Sequence, residues 1–160
     1  MTHPHYPFPS TDNQYLVEHA ELLYRSFQHY VGRELAGLHW QGAATAHALF
    51  TGKFVLLSHT AAADPIFTYG NQTAMQLFAM DWAQLTQLAS RYSAEPLARD
   101  ARERLLQTVN RQGYIDNYAG IRIASTGQRF TIQQAIVWNL LDQHGHYAGQ
   151  AAYFDHWTLI

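Results

Sequence analysis

The sequence predicts an α+β domain, with a five-stranded antiparallel sheet, small helices on one face and an N-terminal amphipathic helix. Three observations carry that expectation. From Tyr114 to the end the hydrophobic period is two, and the turn-forming runs Ser125-Thr126-Gly127-Gln128 and Asp142-Gln143-His144-Gly145 cut this stretch into three strands. Before Tyr114, two short apolar runs of strand length lie among segments whose apolar residues recur every three and four positions. Finally, 160 residues give one core enough surface to bury, and the absence of Cys means that packing alone must hold it.

Each element has a local reason. Residues 1–10 are rich in Pro and His, and 1–12 read as a flexible arm, which places the domain at 13–160. Thr11 and Gln14 have capping-box spacing, and Leu16, Ala20, Leu23, Phe27 and Tyr30 then mark one helical face up to Gly32. A second helical piece, Ala43 to Phe50, leads into strands at Phe54–His59 and Ile66–Tyr69, separated by Asp64-Pro65. Asn71 caps a helix carrying Ala74, Met75, Phe78 and Ala79, and Asp81 caps a brief one. Pro96 opens a long polar helix that Gly113 closes. Strands at 114–124, 129–141 and 146–157 complete the sheet as a meander.

Two-residue hairpin loops would set Ile121 opposite Ile132, Ile115 opposite Trp138, Ile136 opposite Ala151 and Phe130 opposite Trp157. One face then collects Phe130, Ile136, Trp138, Leu140, Tyr153 and Trp157, with Asn117, Gln134 and Asp155 embedded in it. The other face is mixed, with Tyr118, Val137, Gln150 and Phe154, and with Arg122 paired to Asp116. A one-residue slip or a bulge would exchange the faces.

Composition narrows function by exclusion. Aromatic and charged residues each make up 14%, and net charge is −2, so there is no electrostatic footprint for nucleic acid. Arg99, Arg102, Arg104 and Arg111 are interleaved with Glu95, Asp100 and Glu103, which reads as a solvated helix face. No run has the length of a membrane span, and the N-terminus lacks a signal pattern, so a soluble cytoplasmic protein is expected. The ten His show no helical ligand spacing, and no metal is expected. No Ser–His–Asp order, glycine-rich phosphate loop or close carboxylate pair is seen, so no catalytic residue is assigned. Without Cys a cysteinyl–flavin adduct is impossible; non-covalent flavin, or haem through a His, is chemically allowed but not demanded.

Tyr69-Gly70-Asn71-Gln72-Thr73-Ala74 resembles the strand-to-helix joint of PAS domains, and Asp142-Gln143-His144-Gly145 followed by Gly149 resembles the turn before their last strand. More narrowly, Leu57-Ser58-His59, Asp64-Pro65-Ile66-Phe67, Ser90-Arg91, Ser93-Ala94-Glu95, Gly120-Ile121-Arg122-Ile123, Val137-Trp138-Asn139 and Gly149-Gln150-Ala151-Ala152 resemble the MEKHLA domain, a PAS-related family. Its bacterial members stand alone, and its plant members end homeodomain–leucine zipper proteins. Ala89 stands where that family pattern has Pro. The resemblance implies a sensing or ligand-binding module and carries over no catalytic residue.

The expected pocket lies between the apolar sheet face and the small helices. Phe130, Trp138 and Tyr153 would form its floor, with Met75, Phe78 and Trp82 above and His59 and Gln134 as polar contacts. Tyr69 and Asn71 sit at the joint beside it. Each has a plainer role as well: Asn71 as a helix cap, Met75, Phe78 and Trp82 as core, His59 as a hydrogen-bonded strand end. The partners expected are a small apolar or aromatic ligand, a second copy through the first helix and the mixed face, or a separate output protein. Two alternatives stay open: an enzyme in a ketosteroid-isomerase-like cone with Asp155 as general base, and a homodimerising interaction module.

Overall fold

The computed structural model describes residues 5–160. The chain enters through a short 3-10 turn at Thr11–Asn13, where the Asn13 side chain accepts from the Ser10 N–H at 3.0 Å. The capping interaction therefore sits at this turn, one residue before the Thr11 of the expected box. Of the expected arm, residues 1–4 lie outside the described residues. Phe8 packs edge-on against Phe50 and Trp82, and the Tyr6 carbonyl accepts from the Trp82 indole at 2.9 Å.

Helix α1 (Val17–Val31) ends at Gly32, whose φ of 79° few other residues tolerate. Ala20, Leu23 and Phe27 of the predicted stripe are buried, Tyr24 is buried beside them, and Tyr30 is half-buried. Helix α2 (Ala43–Thr51) leads into β1 (Val55–His59) and β2 (Phe67–Gly70). Helix α3 (Gln72–Phe78), α4 (Trp82–Leu85) and the long α5 (Pro96–Gln112) follow, with a 3-10 turn at Ser90–Ser93 between the last two. Asn71 and Asp81 cap α3 and α4 as expected, accepting from the Ala74 and Gln84 N–H groups.

The sheet closes with β3 (Tyr114–Ile123), β4 (Arg129–Leu141), β5 (Tyr147–Phe154) and β6 (His156–Leu159). The order is β2-β1-β5-β4-β3, antiparallel throughout, with β6 continuing along β4 beyond β5. The single last strand of the sequence reading thus breaks at Asp155.

Strand pairing departs from the two-residue-loop expectation, and the turns show why. Ala124 and Asp142 bond to Gln128 and His146 across three-residue loops, and the third loop residue of each, Gly127 or Gly145, is left-handed at φ 89° or 78°. Arg122 therefore faces Phe130 and Ile121 faces Thr131, while a further one-residue shift between Leu140 and Leu141 sets Trp138 opposite Ala151 and Phe130 opposite Leu159.

Two opposed bulges add to this. Asn117 is extra in β3 and Gln134 is extra in β4, both at φ 55°. Each bulge flips the side-chain alternation of its strand. Phe130, Ile132, Ala135 and Val137 consequently face α3 and α5, whereas Ile136, Trp138 and Leu140 face α1. Trp138 is fully buried there, its indole donating to the Leu23 carbonyl at 3.2 Å and its ring edge-on to Phe27 at 4.9 Å. Ser26 ties α1 to the same strand by accepting from the Leu141 N–H at 2.9 Å.

Candidate functional site

A cavity of about 80 Å³ lies between the sheet and the layer made by α3, α5 and the 3-10 turn. Leu57, Phe67, Phe78, Ile132, Val137 and Phe154 give it apolar walls. It meets solvent beside α5 and β3, where Leu106, Tyr118, Arg122 and Ala152 are half-buried. Its polar groups come from five elements: His59 of β1, Ser90 and Ser93 of the 3-10 turn, Arg102 of α5, Tyr118 and Arg122 of β3, and Gln150 of β5.

These groups form a directed hydrogen-bond chain. The Gln150 amide nitrogen donates to the Leu106 carbonyl at 3.2 Å and to Asn139 Oδ1 at 3.1 Å, which fixes the orientation of the amide. Its oxygen therefore faces His59 Nε2 at 3.1 Å and accepts, so Nε2 carries the proton. Nδ1 is left as the acceptor for the Ser90 hydroxyl at 3.0 Å. Ser90 Oγ in turn accepts from the Arg102 guanidinium. Asn139 closes the far end by donating to the Val109 carbonyl at 3.2 Å. Burial, and then the Arg102 charge, hold His59 down to about 4 against the raising effect of its bond to Gln150. It is a neutral relay at neutral pH.

Arg102 is only 4% exposed. The solvated-face reading of this helix fails at that position, because Arg102 lies on one line with the buried Leu105 and Val109, at steps of three and four. That spacing was the available signal. Burial first, and then the charge of Arg122, lower Arg102 to about 10, which leaves it protonated at neutral pH.

Arg122 donates to the Ile121 carbonyl at 2.8 Å and to the Tyr118 hydroxyl at 3.3 Å. The expected pair with Asp116 does not form, since Asp116 lines a separate crevice with Asn117, Gln134 and Tyr153.

Of the residues expected in the pocket, His59 and Phe78 line this cavity, and Phe130 packs edge-on against Phe78 at 5.2 Å. Met75 packs partly buried between the two main apolar clusters. Trp138 and Tyr153 are on the α1 side, so the expected floor of Phe130, Trp138 and Tyr153 does not exist as one surface. The bulge at Gln134 separates them, and Gln134 itself is exposed. Tyr69 and Trp82 stack edge-on at 5.8 Å within the α1–α2 core.

Asn71 is fully buried and occupied by backbone, accepting from Ala74 and Leu56 and donating to Leu49 and Phe54. Asp155 is exposed and bonded to His156, which removes the deep carboxylate that the isomerase-like alternative needs. Tyr118, Arg122 and Gln150 escape the sequence reading because it assigns them to the mixed, outer face of the sheet, and Arg102 because it assigns α5 a solvated face. Among the described residues, no cluster of three metal-ligating side chains occurs and no helix is long and apolar enough to cross a membrane.

Comparison with known proteins places these features. The structure resembles the PAS domain of a Colwellia psychrerythraea protein, with a TM-score of 0.60 at 12% identity over 69% of this chain and 91% of that one. It also resembles a light-oxygen-voltage domain studied with a flavin analogue, at 0.58 and 13% over 73% and 84%. The fungal blue-light photoreceptor Vivid matches at 0.52 and 12% over 63% and 76%. The fold is therefore PAS-like. Homeobox-leucine zipper protein ATHB-14 of Arabidopsis thaliana is 26% identical over 140 residues, 85% of this chain, and the chain spans 16% of that protein's length. The MEKHLA domain model matches residues 17–159, and the chain belongs to the MEKHLA domain family.

Proposed function

We propose that this protein is a sensory module that binds a small, mostly apolar ligand between its sheet and its α3–α5 layer, and that it does not catalyse. The observation that carries this reading is the cavity itself. Apolar walls enclose a few convergent polar groups, two of them arginines, in the layer that the PAS-like fold leaves between sheet and helices. The polar groups form a fixed relay: Ser90 donates to His59, but a histidine held down to about 4 is a weak base, and the Ser90 oxygen is occupied by the Arg102 guanidinium.

The volume bears on the kind of ligand. Drug-sized ligands occupy roughly 300–1,000 Å³, so about 80 Å³ suits a short molecule. A flavin, whose analogue was studied in one light-oxygen-voltage neighbour, would require the walls to separate. Comparing native and denatured masses of the purified protein tests the reading, with a difference equal to a small molecule expected. Identical masses, together with no thermal shift across a broad metabolite panel, would refute it.

A further inference from the structure

The charge inside the cavity is unbalanced. Two guanidinium groups line it, and among the described residues lining it there is no Asp or Glu. Arg102 bonds to the Ser90 hydroxyl, and the carboxylate closest to it belongs to Glu103, 3.7 Å away on a side chain that is 59% exposed. Asp64 also acts on Arg102 but is shared with Arg91 at 3.5 Å. Arg122 has a carbonyl and a phenol as partners, and among the described residues no carboxylate lies within ion-pair distance of it. The two cations line one small cavity and act on each other unfavourably, which adds to burial in lowering Arg102.

Burying a cation without a close counter-charge is costly. An anion in the cavity relieves both groups at once. The guanidinium fork matches a planar carboxylate, and the Tyr118 hydroxyl beside Arg122 is a further donor. Apart from Ser93 and the internally bonded Ser90, His59 and Gln150, the main side-chain walls are apolar, which suits a hydrocarbon tail and not a fully hydrated inorganic oxyanion. Size limits that tail, since an apolar cavity of about 150 Å³ takes up benzene, and this one is about half as large.

Building on the ligand-binding reading above, we infer that the ligand is a short-chain organic carboxylate, its carboxylate held by Arg102 and Arg122 and its tail lying against Leu57, Phe78, Ile132 and Val137. The neutral relay of Ser90, His59 and Gln150 then carries the state of Arg102 to Asn139 of β4 and to the last turns of α5.

The test uses the full chain, with propionate and butyrate as carboxylate probes, propionamide and butyramide as their neutral counterparts, and inorganic phosphate as the bare anion. Binding is read by calorimetry and by thermal shift at pH 7.5. A carboxylate is expected to raise Tm by several degrees at saturation, with its amide at least tenfold weaker and phosphate without effect. Arg122→Gln, at a half-buried position that preserves the fold, is expected to weaken carboxylate binding more than tenfold. Arg102→Gln should do the same, with its circular dichroism checked against the wild type.

Amides that bind as tightly as carboxylates would overturn the charge assignment while leaving the ligand-binding reading standing. Phosphate binding as tightly would replace it with an inorganic anion site. An Arg122→Gln protein with unchanged affinity would overturn it as well. A neutral molecule in the native-mass difference, with no response to any carboxylate, sinks the inference alone, whereas no retained mass and no response to any probe sinks both.

Discussion

Two buried histidines set how this fold responds to acid. His19 of α1 bonds through Nε2 to Ser58 at 2.9 Å, Ser58 bonds to Thr68 at 2.7 Å, and among the described residues Nδ1 has no partner. His59 holds the relay on the other face of the sheet. Burial lowers both from the ordinary 6.5 to about 4.

The unfolded chain therefore binds more protons than the folded one between these values. Stability contributed by the neutral histidines is complete above pH 6.5, falls as pH drops, and is gone below about pH 4. One pKa unit is worth 1.36 kcal/mol, so each histidine contributes roughly 3 kcal/mol across the window. At pH 5.5 nearly one proton per histidine separates the two states, a slope of about 1.2 kcal/mol per pH unit each and about 2.5 for the pair.

Urea unfolding at pH 5.0, 5.5 and 6.0 measures that slope directly. Replacing His59 by Gln, or His19 by Gln, should lower the slope by about 1.2 kcal/mol per pH unit, whatever it does to absolute stability. All other titrating groups cancel in the comparison. A variant with the wild-type slope would show that its histidine is not held neutral by the fold, and the relay direction derived for His59 would fall with it.

Three further outcomes follow from the packing. Asn71→Ala removes the α3 cap and leaves two backbone carbonyls short of a donor, and should cost about 3 kcal/mol by urea unfolding. Gly149 has φ 125°, and a Cβ there would fall on the carbonyl oxygen of His59; Gly149→Ala should therefore lower Tm by 5 °C or more, on the order of 3 kcal/mol at this chain length. Ala135→Leu projects its added carbons into the cavity and should abolish the native-mass difference at a stability cost below about 2 kcal/mol; retention of the ligand by this variant would place it elsewhere.

The backbone of this fold was largely legible in the sequence, because its signals are local. The period of two, the Asn71 and Asp81 caps and the α1 stripe each depend on a handful of neighbouring residues, and each reappears in the structure. The faces of the sheet were not legible, because a face depends on every residue counted from the turn. Gly127 and Gly145 are the third residues of three-residue loops where the pattern predicts two, which moves each register by one, and the irregularity between Leu140 and Leu141 moves the second by one more.

Asn117, Gln134 and Asp155 were the remaining clue. Three polar residues embedded in an otherwise apolar face, of which only Gln134 is expected as a pocket contact, mark the two bulges and the strand break at which alternation resets. Arg102 was hidden differently, since the abundance of charges on α5 masked the one that lies on its buried line. The cavity was thus expected in the correct layer but furnished with the wrong side of β4.

That strand is a party wall. Val137 and Asn139 look onto the chamber and its relay, while Trp138 and Leu140, their immediate neighbours, are pinned to α1. Nothing but one thickness of backbone separates the two rooms, so a backbone displacement of β4 on one side is the same displacement on the other. A message crossing this molecule has no long route to travel: α1 already leans on the wall against which the ligand would press.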